Sequence, residues 1–293
     1  METYNLYEIH QSNQEVFKHF SIKEQLFVFY NCPQLDKIVS LYTAHNQLVF
    51  SIRGKRTFHR GDQEWTVTED TSFMLKRMAF HQEIEDDIKG WEVLAFYIKD
   101  DYFKYVLDEY RAFLNFKDLP KPSKEMLLNI YLNDRIRECY LSMIPYFNEG
   151  DKHPEGIIEM KFKELLYNIF IHPKNKHILA YVNAISKGYL TPIWEVMENN
   201  FMYNLGLPEF AQIANRSLSK FKVDFQDHYK TTPGKWLLSK RLDYAKQILL
   251  TTSKSISETA YDSGFENLTH FSRVFKKRFG QPPSVFRNNN IDR

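Results

Sequence analysis

Cysteine is nearly absent from this 293-residue chain: Cys32 and Cys139 stand far apart, with no C-x-x-C pair and no Cys/His cluster around either. That excludes a disulfide framework and a cysteine-based structural zinc site, and it fits a reducing compartment. Long apolar runs are missing too; none approaches the roughly 20 residues that a membrane-spanning helix needs. The opening residues, METYNLYEIH, lack the basic and then apolar run of a secretion signal. The expected location is the cytoplasm, with no membrane partner. Arrangements that carry catalysis are also lacking: no Ser/His/Asp or Cys/His set, no paired carboxylates, no phosphate-binding loop. Neither an enzyme nor a cofactor is expected.

An overall excess of one charge is lacking as well, because the formal net charge is only +2. Dividing the chain near Lys174, where a Pro/Lys/Asn stretch follows a hydrophobic part, changes that reading. Residues 1–173 hold 21 Lys and Arg against 27 Asp and Glu, a balance of −6; residues 174–293 hold 18 against 10, a balance of +8. A split of this size points to a polyanion as partner of the C-terminal part. With 43% hydrophobic and 16% aromatic residues, the chain can fill two cores, so domains over 1–173 and 174–293 are expected.

What is present in the N-terminal part, from about Ile22 to Ile98, is a series of short apolar-rich segments: 25–30, 38–43, 47–52, 56–59, 64–68, 72–76 and 91–98. Turn signals separate them at Asn31 with Pro33, at Gly54, at Gly61-Asp62 and at Lys89-Gly90. Closely spaced antiparallel strands of this kind predict a small barrel or jelly roll. From Ser123 the period becomes helical. Met126, Leu127, Ile130, Ile136, Leu141 and Ile144 mark one helix; Ile157, Ile158, Phe162, Leu165, Leu166 and Ile169 mark another, closed by His172-Pro173. These two helices over 123–172 can pack on the barrel or on a second copy, and the pattern does not choose.

The C-terminal part is all helical and repeats itself. Leu207-Pro-Glu-Phe-Ala211 aligns with Ile256-Ser-Glu-Thr-Ala260 at an offset of 49 residues. From Ser217 over Asn267 onward, Phe221, Phe225, Tyr229 and Pro233 align with Phe271, Phe275, Phe279 and Pro283 at an offset of 50, so one extra residue falls in the turn. Each unit predicts a short helix, a tight turn and a longer helix. Pro208 suits a first helical position, Ala211 permits close helix crossing, the chain turns at Asn215-Arg216, and Ser217 caps the longer helix. In the second unit Ser255 and Glu258 form a capping box, Gly264 ends the short helix and Asn267 caps the longer one. Between the units, Pro233 to Leu250 reads as one amphipathic helix with Trp236, Leu237, Leu242, Ala245 and Leu249 inward. Its length of about 27 Å compares with the roughly 34 Å turn of B-DNA.

Aromatic residues recurring every four positions bury one face of each longer helix and leave the other free. That free face carries Ser219, Lys222, Val223 and Gln226 in the first unit, and Thr269, Ser272 and Arg273 in the second, as candidates to read bases. Lys220, His270, Lys276, Lys277 and Arg278 are the candidates to meet phosphates. A helix fits the major groove of duplex DNA with its early residues at base edges. Arg273 suits bidentate contact with guanine, worth about 1 to 3 kcal/mol of discrimination. One such helix alone reads equally well as a solvated face; two in a basic repeat do not.

These residues resemble the AraC/XylS family of bacterial transcription regulators. The resemblance is carried by A-x-x-S-G-F-E-N-x-x-H-F-x-R-x-F-K-K-R-F-G-x-x-P-x-x-x-R over Ala260 to Arg287, by TPGKWLLSKRLDYAKQILL over 232–250 and by SLSKFKVDF over 217–225; it spans about Ile193 to Arg287. It implies a seven-helix DNA-binding domain with two reading helices, most often in an activator that recruits RNA polymerase. One departure stands out: Val223, beside Asp224, occupies a place where many members have a long polar residue.

The N-terminal strands look like the cupin-like sensing and dimerisation domain that often precedes this module. The overall expectation is thus an α+β chain, with a cupin-like barrel and two helices before an all-α domain with two helix-turn-helix motifs. Family analogy implies a small ligand in the barrel or a regulatory protein on it, and a homodimer through the helices. Phe27, Phe29, Phe50, Trp65, Phe73, Trp91 and Phe96 are the candidates to line a pocket, with plain core as the competing reading. His45, His59 and His81 are isolated, unlike the close H-x-H and following Glu of enzymatic cupins. No metal is expected, and a cupin-type metalloenzyme is the remote alternative.

Overall fold

Along Gln25–Asn31 (β3) consecutive side chains enter two different cores. Leu26, Val28 and Tyr30 face one, and Phe27 with the half-buried Phe29 the other. Trp91–Ile98 (β9) behaves likewise, with Val93, Ala95 and Tyr97 on one side and Leu94, Phe96 and Ile98 on the other. A strand alternates its side chains, so a sheet buried on both faces turns its strands into nearly unbroken apolar runs. The computed structural model describes residues 2–84, 90–148 and 154–291.

The remaining N-terminal strands are Thr3–Asn5 (β1), Lys18–Ile22 (β2), Ile38–Thr43 (β4), Asn46–Arg60 (β5), Gln63–Thr68 (β6), Ser72–Leu75 (β7), Met78–Glu83 (β8) and Leu127–Asn129 (β10). They form one curled sheet in the order β1-β4-β8-β5-β9-β3-β2, with β6 and β7 also on β5, and β10 on β7. Among the described residues all pairings are antiparallel except β1 with β4. The segments expected at 47–52 and 56–59 are one strand, β5, bent by a bulge between Ser51 and Arg53. Gly54 sits next to the bend at φ +89, where an added Cβ would run into the Gly90 carbonyl. The glycine marks a kink within a strand and not a turn between two. Lys89, in the turn expected at Lys89-Gly90, lies outside the described residues.

The inner core, with Phe58, Phe73, Phe80 and Trp91, fills the curl. The outer core lies under helices Asp100–Tyr110 (α2), Asp134–Leu141 (α3), Glu155–Ile171 (α4) and Lys176–Ser186 (α5). The helix expected from Ser123 begins only at Asp134, where Asn133 caps it by accepting from the Ile136 amide at 3.0 Å. Ahead of it Met126 and Leu127 enter the inner core and Leu128 and Ile130 the outer one, a strand's two-sidedness that β10 realises by pairing with β7. α4 matches expectation and stops at His172, whose Nδ1 accepts from the Lys174 amide. Its apolar face, Ile158, Phe162, Leu165, Leu166 and Ile169, packs on the chain's own sheet. Leu6–Ser12 (α1), which packs beside β4, and α2 stand in stretches for which no element was expected.

α5 moves the domain boundary. Ile178, Leu179, Tyr181, Val182 and Ile185 lie in the outer N-terminal core, and the next core begins with Ile193. The division therefore falls between Ser186 and Ile193 and not at 173/174. Beyond it the described residues form seven helices: Ile193–Asn200 (α6), Leu207–Ile213 (α7), Leu218–Tyr229 (α8), Pro233–Thr251 (α9), Ile256–Asp262 (α10), Leu268–Phe279 (α11) and Pro283–Ile291 (α12). α6 docks on β8, where Tyr42 and Ala79 share a core with Val196, Met197 and Tyr203. The buried Asn200 fixes this contact, its Oδ1 accepting from the Ala79 amide at 2.8 Å and its Nδ2 donating to the Val196 carbonyl at 2.7 Å. Among the described residues no helix is long and apolar enough to cross a membrane.

Candidate nucleic-acid interface

The two units of the repeat have the same local geometry. After the short helix the chain reverses through a left-handed residue, Asn215 at φ +53 in the first unit and Gly264 at φ +81 in the second. The next-residue amides close both turns alike, Arg216 N on the Ala211 carbonyl at 2.9 Å and Phe265 N on the Ala260 carbonyl at 3.0 Å. The buried Ala211 and Ala260 leave room for the helices to cross. The longer helix is then capped from its own sequence, by Ser217 accepting from the Lys220 amide and Asn267 from the His270 amide. Each cap satisfies one of the unpaired amides of a first helical turn. Ser255 and Glu258 complete a reciprocal capping box on α10. Lys230 and Gly280, both left-handed, end α8 and α11, and Pro233 and Pro283 begin the next helices.

α9 joins the units into one body. Its Leu237 lies in the core of the first, and Leu242, Ala245 and Leu249 in the core of the second. Arg241, one turn on from Leu237 in that inward stripe, donates from Nε to the Phe201 carbonyl and from a terminal nitrogen to the Tyr203 carbonyl, both at 2.7 Å. Burial pushes its guanidinium down to about 10, so it stays charged near neutral pH. An added Cβ on Gly264 would sit 2.8 Å from Arg241 Nε. Arg241 therefore ties the end of α6 to the turn of the second unit. Sequence reading missed it, although its spacing of four from both Leu237 and Ala245 placed it on the buried face.

Phe221 and Phe225 on α8, and Phe271 and Phe275 on α11, are buried as the four-residue spacing requires. Ser219, Lys220, Lys222, Val223 and Gln226 are exposed on α8; Thr269, His270, Arg273, Lys276, Lys277 and Arg278 are exposed on α11, and Ser272 is half-buried. Two of the expected phosphate contacts already have carboxylate partners. Lys220 pairs with Asp224 at 2.7 Å, and Arg278 donates to both Asp243 oxygens at 2.8 Å. Asp224 is also held by Arg216 at 3.0 Å, and the hydrogen bond from Lys220 is the main reason its carboxyl lies below the usual range. Its charge is thus used inside the first unit, against the turn.

The seven aromatic residues expected to line a pocket are not brought together as one set. Phe27, Phe29, Phe50 and Phe96 face the helical layer, whereas Phe73, Trp91 and the half-buried Trp65 belong to the inner core. Alternation along the strands sends them to opposite faces. An apolar cavity of about 300 Å³ lies elsewhere, between α1 and strands β3 and β4, lined among others by Leu6, Ile9, Phe17, Tyr30, Val39 and Leu41. The three histidines are separately engaged: His45 stacks on Tyr7, His59 Nε2 contacts Glu83 at 2.7 Å, and His81 lies against Tyr203. Among the described residues no group of three or more His, Cys, Asp or Glu side chains is placed to hold a metal.

Comparison with known proteins finds two family models on separate parts of the chain. A family model described as a helix-turn-helix domain matches residues 210–289, and one described as the ExsA N-terminal regulatory domain matches 46–181. The chain is 27% identical over 133 residues to the HTH-type transcriptional regulator ExsA of Pseudomonas aeruginosa, a match covering 45% of this chain and 48% of that one. It is 27% identical over 139 residues to the virulence regulon transcriptional activator VirF of Yersinia enterocolitica, covering 47% and 51%. It thus spans about half the length of these curated relatives. A crystal structure of an AraC-type DNA-binding-domain regulator from Chromobacterium violaceum is 31% identical, with 37% of this chain and 96% of that chain covered and a TM-score of 0.31. With a helix-turn-helix match over 210–289, an ExsA-type match over 46–181 and two capped, glycine- and proline-punctuated units in register, the chain belongs to the AraC/XylS family of transcriptional regulators.

Proposed function

We propose that the chain is a sequence-specific regulator of transcription that binds duplex DNA in the cytoplasm, with α8 and α11 in successive major grooves on one face of the duplex. The observation that carries this is the duplicated unit itself. Two helices, each capped at its start and buried on its aromatic side, expose polar and cationic residues and are fixed to each other through α9. Nineteen residues of α9 span about 28 Å, near one turn of the duplex. Ser219, Lys222, Val223, Gln226, Thr269, Ser272 and Arg273 are read as base contacts, with His270, Lys276 and Lys277 on phosphates. The relatives named as a regulator and an activator support activation, with RNA polymerase as the further partner.

The N-terminal domain is read as the input. The 300 Å³ cavity under α1 supports a small apolar ligand. Control by a regulatory protein is the alternative, and the family description of 46–181 as a regulatory domain fits either. Met160, 68% exposed, and Ile157 on the outer side of α4 support a homodimer through that face. The test is selection from random duplex DNA by the full-length protein, then titration of the enriched site at two salt concentrations. The proposal expects one site with two boxes about one helical turn apart. A folded protein that enriches nothing overturns it.

A further inference from the structure

The two units place different chemistry at the same point. In the offset of 50 that aligns α8 with α11, Val223 coincides with Arg273, Gln226 with Lys276 and Ser219 with Thr269. Val223 is 55% exposed, an aliphatic side chain at the centre of a face whose other members, Ser219, Lys222 and Gln226, are polar. Asp224, its acidic neighbour in mid-helix, is drawn aside by Arg216 and Lys220. What α8 offers to a groove is therefore a methyl-bearing surface and an amide, with the cation of Lys222 at its edge. α11 offers Arg273, Lys276 and Lys277.

Base edges differ in the same way. Thymine alone presents a methyl group in the major groove, adenine presents the donor and acceptor pair that an amide side chain matches, and guanine presents two acceptors that suit arginine. Val223 and Gln226 are three residues apart, about 4.5 Å along the helix, close to the spacing of about 3.4 Å between adjacent base pairs. We infer that α8 reads an A·T step, Val223 on a thymine methyl and Gln226 on the adenine of a neighbouring pair, while α11 reads guanine through Arg273. A site for one chain is then directional, with an A·T box and a guanine-containing box in fixed order. This rests on the DNA-reading function proposed above. The positive balance of residues 174–293 supplies the charge complementarity for duplex DNA as the occupant of this face.

The test uses full-length protein and the selected site, with each thymine of the first box replaced in turn by deoxyuridine, which removes only the methyl group. The wild type is expected to lose about 4-fold in affinity at one position, the worth of one buried methyl. Val223→Ala is expected to bind the thymine and uracil forms of that position equally, and Arg273→Ala to keep the difference. Because Val223 is exposed, its replacement leaves unfolding unchanged, which a denaturation curve verifies alongside. A wild type indifferent to every replacement, or Val223→Ala retaining the discrimination, overturns the inference. Failure of the DNA-reading function itself shows one step earlier, as the absence of any selected site.

Discussion

Asn215 and Gly264 occupy the same left-handed position in the two turns, at φ +53 and +81, although one has a side chain and the other has none. Asn215 uses its side chain, donating from Nδ2 to Asp100 Oδ2 at 3.0 Å and so tying the first unit to the N-terminal domain. Asp100 is in turn paired with Arg77 at 2.5 Å and accepts from Asn46. Gly264 has no space for a side chain, because Arg241 and the Met202 carbonyl lie where a Cβ would go. One turn is thus a point of attachment to the N-terminal domain, the other a point of close packing inside the C-terminal one.

Gly264→Ala is expected to destabilise the protein. The left-handed backbone alone costs a side chain about 1 to 2 kcal/mol, and contacts of 2.8 and 2.9 Å to Arg241 Nε and Met202 O add to it. Asn215→Gly keeps the turn and loses only its bond to Asp100, so it has the smaller effect. Urea unfolding of both variants measures this, and an unchanged midpoint for Gly264→Ala contradicts the packing described.

Arg241→Met removes a half-buried charge that serves two carbonyls. Hydrogen bonds to charged groups contribute about 1.5 to 3 kcal/mol each, so a loss of at least that size is expected in the same measurement. DNA affinity of the folded fraction falls as well, because α6 and the second turn lose their common tie. A variant as stable as the wild type rules out the role assigned to Arg241.

Arg273→Ala is expected to lose about 1 to 3 kcal/mol on the selected site and to relax base preference at one position. Replacing Lys276 and Lys277 together weakens binding to every sequence and lowers the salt slope by about 1.8. Arg278→Ala does less, since Asp243 already holds that guanidinium. Titrations at several salt concentrations separate the three; a sequence-specific loss for the lysine pair speaks against phosphate contact.

Stability should fall with acid in a defined window. Burial lowers His81 and His45 to about 4 and His10 to about 3, helped by His59, by Arg77 and Lys99, and by His19 respectively. The unfolded chain takes up these protons near pH 6.5, and the folded chain refuses them until about pH 4. The contribution is therefore whole above pH 6.5 and lost as pH falls towards 4. His81→Asn, at the contact with Tyr203, flattens this dependence in unfolding curves taken between pH 7.5 and 4.5; an equal slope in the variant assigns the effect elsewhere.

The C-terminal domain was legible because each of its signals acts over a few residues. Ser217, Asn267 and the Ser255–Glu258 box cap the helices they precede, and aromatic residues four apart mark one buried face. The N-terminal domain was legible only in outline. Strands buried on both faces lose their alternation, so β8 passed unseen and the run from Met126 to Ile130 read as helix. Parity separates Phe27 from Val28, but which face lies under helices depends on α2, α4 and α5, far away in the chain. The cavity under α1 and the bond from Asn215 to Asp100 are tertiary facts of the same kind.

Hydroxyl-radical footprinting of the full-length protein on its selected site tests the central claim most directly. Two protected patches about ten base pairs apart on one face of the duplex are predicted for each bound chain, the second lost in Arg273→Ala before the first. A single patch per chain, or patches on opposite faces, contradicts the reading of two major grooves by α8 and α11.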